Sequence, residues 1–153
     1  MTMGGLYYEE LSLGMHFDHR LRRTVTEFDN LIFSALSHNP AALHLDEEAM
    51  KASEFGTRIV NSCFTLSLMV GISIADTTLG TTVANLGWDG VRFAKPVLIG
   101  DTLRVETIVD EMRPSKSRPS TGVVVFLHRC FNQRDQEVAV CKRTALMKRK
   151  ASA

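Results

Sequence analysis

Apolar residues recur along this chain with two different periods, and the change of period divides it into a helical first half and a β-patterned second half. Phe28, Leu31, Ile32, Ala35 and Leu36 fall at i, i+3, i+4, i+7 and i+8, which predicts an amphipathic helix that ends before Pro40. Thr26 is placed to cap it, with Asp29 near the exposed amides, and residues 14–23 ahead of it read as a short strand. Asn39 to His44 reads as a loop, because the residue before a proline is pushed out of the helical region. Asp46 then caps a short helix over about Glu47–Ala52, and Phe55–Arg58 is an irregular link. Beyond it Cys63, Phe64, Leu66, Leu68, Met69, Val70, Ile72 and Ile74 leave no polar side, so a helix of about four turns must be wrapped by other structure.

The wrapping material is the second half. Val83–Phe93, Thr102–Glu111, Gly122–Asn132 and Glu137–Met147 carry β patterns, with Leu103, Val105, Thr107 and Val109 alternating with Arg104 and Glu106 as in a sheet with one dry face. Asn132–Asp135 is a hairpin turn, and Arg113–Ser120, with its prolines and serines, an exposed loop. Helices first and an antiparallel sheet afterwards give an α+β class: one domain over residues 1–153, with flexible ends at 1–8 and 149–153. The edges of such a sheet need covering, which points to a homodimer or a higher homo-oligomer.

Composition narrows the function classes. Eighteen basic against 17 acidic residues leave a net charge of +1, so no global field calls for nucleic acid or an anionic membrane as partner. The three cysteines, Cys63, Cys130 and Cys141, lack CxxC spacing and sit in apolar runs, as small buried hydrophobes in a reducing compartment do. Residues 1–8 have no secretory pattern, and the most apolar stretch, 62–75, is interrupted by Thr65, Ser67 and Ser73, so a cytoplasmic location is expected.

Candidate chemistry is concentrated in Ala35-Leu36-Ser37-His38-Asn39-Pro40-Ala41-Ala42-Leu43-His44-Leu45-Asp46. Histidine exchanges protons near neutral pH, and Asn39 offers water both a donor and an acceptor. From residue type alone His44 is either an acid–base group or a cap for backbone groups in a tight loop, and His38 is the more structural of the two. His16, His19 and His128 are scattered and spell no metal site, while Asp46, Glu47 and Glu48 read as helix capping and first-turn acid. Amides near Asn61-Ser62-Cys63, at the start of the apolar helix, would present N–H groups to a developing oxyanion.

The same segment resembles the signature of the MaoC-like, R-specific enoyl-CoA hydratases, roughly A-L-S-G-D-x-N-P-L-H-x-D, which Ala35-Leu36-Ser37 and Leu43-His44-Leu45-Asp46 match. Phe55-Gly56-Thr57-Arg58-Ile59-Val60-Asn61-Ser62 resembles that family's F-G-x-x-I-x-H-G, and the run Val91 to Leu103 its R-F-x-x-P-V-x-x-G-D-x-L. The resemblance implies a hot-dog fold, a curled antiparallel sheet around a central helix, which agrees with the pattern above. It also implies syn addition of water to an α,β-unsaturated CoA thioester, with His44 catalytic, the Ser62 backbone N–H receiving the thioester oxygen, and neither metal nor redox cofactor. The family aspartate position falls on Asn39, its asparagine on Ala41, its proline on Ala42 and its amide-bearing glycine on Ser62. An amide cannot take a proton, and loss of a general base removes roughly two to four orders of magnitude in rate. Asn39 is thus expected to orient water while His44 carries the acid–base work.

The altered corner resembles the branch acting on mesaconyl-CoA or itaconyl-CoA, whose free carboxylate needs a cation; Arg58 and Arg92 are the candidates. Lys95, Lys116 and Arg118 are candidates for CoA phosphates. Two alternatives stay open: a hot-dog acyl-CoA thioesterase, and a non-catalytic acyl-CoA-binding protein.

Overall fold

The computed structural model describes residues 4–151. In chain order it contains β1 (His16–Asp18), β2 (Arg23–Thr24), α1 (Glu27–Leu36), α2 (Ala42–Leu45), α3 (Glu47–Met50), α4 (Ser62–Thr77), β3 (Thr82–Arg92), β4 (Thr102–Pro114), β5 (Thr121–Phe131) and β6 (Glu137–Lys148). The strands form one antiparallel sheet in the order β1-β4-β5-β6-β3, with β2 also on β4. The strand expected over 14–23 is therefore two short strands on one partner, and β4 runs on to Pro114, into the stretch expected as loop.

Alternation in β4 buries Leu103, Val105, Thr107 and Val109 on the face toward α4, as the pattern predicts. Met69 and Ile72 of α4 pack there with Leu103, Val105, Cys130, Val138 and Cys141. Each large aliphatic side chain buried contributes about 1.5–3 kcal/mol. The wrapping of α4 is one-sided, however: Cys63, Ser67 and Gly71, four residues apart, form an exposed stripe of small side chains. Cys63 is thus exposed, against expectation, whereas burial pushes the Cys130 thiol up to about 12 and that of Cys141 to about 11.

Helix α1 is the larger departure. An amphipathic helix ordinarily turns its apolar stripe to the core, but here Asp29, Asn30 and Ser34 are buried while Phe28 is 69% and Leu36 76% exposed. Leu31 and Ile32 are exposed beside them. Parts of both ends are tied to the body of the fold by hydrogen bonds. The Gly5 and Leu6 amides donate to the Leu79 and Thr77 carbonyls, and Arg149 Nε donates to Glu9 Oε1 at 2.6 Å. A Cβ on Gly122 would collide with the Tyr8 ring, so that ring docks on a glycine. The rest of the ends expected to be flexible, residues 1–3 and 152–153, lies outside the described residues. No helix among the described residues is long and apolar enough to cross a membrane.

Beneath α4 lies a polar layer that joins histidines far apart in sequence. His19 Nδ1 donates to the Asp76 carboxylate at 2.8 Å, and Thr107 Oγ1 lies 2.8 Å from both His19 Nε2 and His128 Nδ1. His128 Nε2 and the Nε and Nη2 atoms of the buried Arg143 have no partner among the described residues. Burial, helped by the positive charge of Arg143, pulls the His128 imidazole down to about 3 from an ordinary 6.5. An unfolded chain takes up a proton at His128 as pH falls through about 6.5, whereas the folded chain declines it until about 3. In that window the unfolded state binds more protons, so stability rises with pH by up to about 1.4 kcal/mol per unit. Urea denaturation at pH 7, 5.5 and 4.5 checks this: the unfolding free energy of His128→Asn is expected to fall less steeply with acidification than that of the parent.

Candidate active site

Helix α1 begins with a reciprocal cap, Thr26 Oγ1 accepting from the Asp29 amide while the Asp29 carboxylate accepts from the Thr26 amide. Burial works against the Asp29 charge, but bonds from Thr26 and the nearby Arg23 outweigh it and hold the carboxyl below its ordinary value. The helix ends at Ser37 with His38 in the left-handed region at φ 53, and the Asn39 amide donates back to the Ser34 carbonyl. His38 thus has a backbone role.

Asn39 Oδ1 accepts from the Ala41 amide at 3.0 Å, closing the turn around Pro40. Part of the acceptor capacity expected for water is thereby committed; the Nδ2 donor has no partner among the described residues. What had read as a loop up to His44 closes into the single turn α2. His44 is buried, and its Nδ1–H donates to the Ile59 carbonyl at 2.9 Å. That bond fixes which nitrogen carries the proton and leaves Nε2 with its lone pair for chemistry. Asp46 caps α3 through the Ala49 amide, as expected.

Ile59 passes the geometry on. Its amide donates to the Leu43 carbonyl, it bridges to Leu98, and the next residue, Val60, donates to the Val97 carbonyl at 2.8 Å. The His44 turn, the start of α4 and the segment 93–98 are thereby stitched together. Gly100, at φ +94, and the buried Asp101 hold the far end of that segment: the Asp101 carboxylate accepts from the Leu98 amide, Gln133 and Arg134. Between these walls is a cavity of about 220 Å³, lined mainly by apolar groups including Phe55, Ile59, Val60, Phe93, Pro96, Val97 and Val138, with Ser62, Thr65 and Lys95 among them. Asn61 caps α4 by accepting from the Cys63 amide, and Ser62, as the first helical residue, has no carbonyl one turn back for its N–H. Ser62 thus combines a place in the cavity lining with a helix-start amide that has no partner among the described residues.

Of the residues singled out beforehand, Ser62 and Lys95 line the cavity, and His44 is bonded to the backbone of a third lining residue, Ile59. His44 itself, Asn39, Arg58 and Arg92 stand outside the lining. Arg58 departs from its expected role. Its fork donates to both oxygens of Glu27 at 2.7 and 2.9 Å, and its Nε to Glu47 at 2.8 Å, so the donors a substrate carboxylate would need are taken. These bonds raise the guanidinium above its ordinary value, and Arg58 holds the Glu47 carboxyl below its own. Arg58 is a clamp between α1 and α3. Arg92 and Lys95 are exposed and have no ion-pair partner among the described residues. Lys116 and Arg118 lie on the β4–β5 loop beside Leu86 and Leu146, in a different depression from the cavity.

Asn30 and Ser34 were not anticipated, nor was the buried side-chain role of Asn61. All three are buried: Asn30 Nδ2 donates to the His44 carbonyl at 3.0 Å, and Asn30 Oδ1 accepts from the Asn61 amide at 2.9 Å. Asn61 Nδ2 reaches Ser34 Oγ at 3.4 Å. The available signal was the i, i+4 spacing of Asn30 and Ser34, which on an apolar-striped helix reads as a solvated face.

Residues 10–127 match the family described as MaoC like domain. The mesaconyl-CoA hydratase of Cereibacter sphaeroides is 30% identical over 152 residues, covering 99% of this chain and 44% of that protein. The chain thus spans less than half the length of that relative. A MaoC-like dehydratase from Rhodospirillum rubrum superimposes with a TM-score of 0.84 at 28% identity, over 97% of this chain and 100% of that one. A Mycobacterium tuberculosis protein with a double hot-dog fold superimposes with a TM-score of 0.87 at 24% identity, over 100% of this chain and 47% of that one. The fold here is one such hot-dog unit.

If Arg58 is a clamp, Arg58→Gln should lower stability by about 1–2 kcal/mol, in line with loss of charge-assisted hydrogen bonds between a largely buried guanidinium and two half-exposed carboxylates. Urea denaturation of the variant beside the parent measures the difference.

Proposed function

The chain belongs to the MaoC-like domain family, and we propose that it is a hydro-lyase adding water reversibly to an α,β-unsaturated CoA thioester, without metal or redox cofactor. The observation that carries this reading is His44, pinned through Nδ1 to a residue of the cavity wall that also holds the unspent Ser62 amide. In the hydration direction Nε2 of His44 takes a proton from water as the water oxygen bonds to the β-carbon. The displaced π electrons move to the thioester oxygen, where the Ser62 N–H stabilises the charge. The proton is then returned to the α-carbon, so nothing is consumed but water. Asn39 Nδ2 orients that water by donating to its oxygen and cannot act as the base.

The apolar cavity suits a short acyl group, and Lys95 in its wall, with Arg92 three residues earlier, supplies the unpaired charge a branched dicarboxylic acyl chain of mesaconyl or itaconyl type requires. Similarity to a mesaconyl-CoA hydratase supports the same choice. The working form is a homodimer: the β3 edge carries exposed Val83, Leu86, Trp88 and Val91, and the apolar stripe of α1 is likewise uncovered. A reducing cytoplasm fits three free thiols, one of them exposed. A non-catalytic acyl-CoA-binding role is the second reading, favoured by the amide at Asn39 where a base would stand. Thioester hydrolysis lacks the carboxylate it would want at this corner.

Incubation with mesaconyl-, itaconyl- and crotonyl-CoA, followed by enoyl absorbance and mass, is expected to show water added to at least one, and His44→Ala should lower that rate about 10²–10⁴-fold. Free CoA without hydration would instead indicate a thioesterase, and binding without turnover the non-catalytic role. Leu86→Asp, a change at an exposed β3 position, should leave the fold intact and convert the dimer to monomer in sedimentation velocity.

A further inference from the structure

Helix α1 exposes hydrocarbon and buries amide and hydroxyl, a sense of orientation that costs stability unless the buried groups are fully used. They are used on one target. Asn30, with no exposed surface, spends its donor on the carbonyl of His44 and its acceptor on the amide of Asn61, the residue that caps α4 next to Ser62. One rigid carboxamide therefore spans the two elements of the candidate site, the turn bearing the imidazole and the helix start bearing the free amide. Ser34, one turn further along the same face, holds the Asn61 side chain and, through its own carbonyl, the Asn39 amide.

We infer that Asn30 is a positioning residue, which sets the distance between the His44 imidazole and the Ser62 amide and keeps the His44 turn where Nδ1–H meets the Ile59 carbonyl. A purely apolar residue of the same size would fill the volume but leave the His44 carbonyl and the Asn61 amide unpaired, and the turn would be free to slide along α1. For catalysis the inference rests on the hydratase reading; for geometry it does not.

Two readouts separate these. With isotopically labelled histidine, and the His44 signal identified by its loss in His44→Ala, the parent should show the Nδ1–H tautomer, and Asn30→Leu a mixture containing the Nε2–H form that free imidazole prefers. In the hydration assay Asn30→Leu should lower kcat about tenfold to a hundredfold with KM within about threefold, as small misplacements of reacting groups do. A folded Asn30→Leu protein with parental tautomer and kcat would overturn the inference and make Asn30 an ordinary core residue. Should Asn30→Leu not fold, Asn30→Asp decides, since it keeps the acceptor for Asn61 and loses the donor to His44: a tautomer shift with reduced kcat supports the inference, and parental values of both overturn it. A tautomer shift in a protein that hydrates nothing upholds the positioning role and removes the hydratase reading.

Discussion

The His44 turn and the residues leading into α4 are both irregular backbone, and irregular backbone inside a protein has to find partners for its amides and carbonyls outside any ladder. Here the partners are the Asn30 carboxamide and the Ser34 carbonyl on a single helical face, with the Ser34 hydroxyl holding the Asn61 side chain beside them. The rest of the site depends on that supply. With those groups paired, the imidazole can be held at one nitrogen by Ile59 and the α4 amides can begin where the cavity is. The clamp of Arg58 onto Glu27 and Glu47 secures the same helix to α3 from the rim.

That arrangement turns the usual sense of an amphipathic helix around. Pairing polar groups inward places Phe28, Leu31, Ile32 and Leu36 outward. The hydrocarbon that the monomer leaves in water is thus a by-product of how the site is supported. Sheet and helix α4 follow the more familiar logic, with a dry face built from Met69, Ile72 and the alternating residues of β4.

Much of the fold was legible in the sequence, because a two-residue period and a stretch apolar on every side have few structural solutions. The four main strands and α4 fall where the pattern puts them. The facing of α1 was not legible: periodicity says that two faces differ, and only the surroundings decide which is buried. The same limit hid the meeting of His19 and His128, which depends on strand register around Thr107. It also hid the engagement of Arg58, whose acids lie 31 and 11 positions away. His44, Ser62 and Lys95 were singled out because they sit in short contiguous motifs, and Asn30 was not because its partners are backbone atoms, which leave no mark in residue type.

The two borders of the sheet are unequal. One is closed off by β1, three residues long, and the other is β3, eleven residues long with three shifts of register along it. Chains that associate through β3 would use up the long border on both members and leave outward the border where β1 and β2 cover part of β4. In such a pairing, as proposed above, the long apolar strand leaves solvent, and further growth by edge pairing would have to proceed through the short, partly covered border on the opposite side.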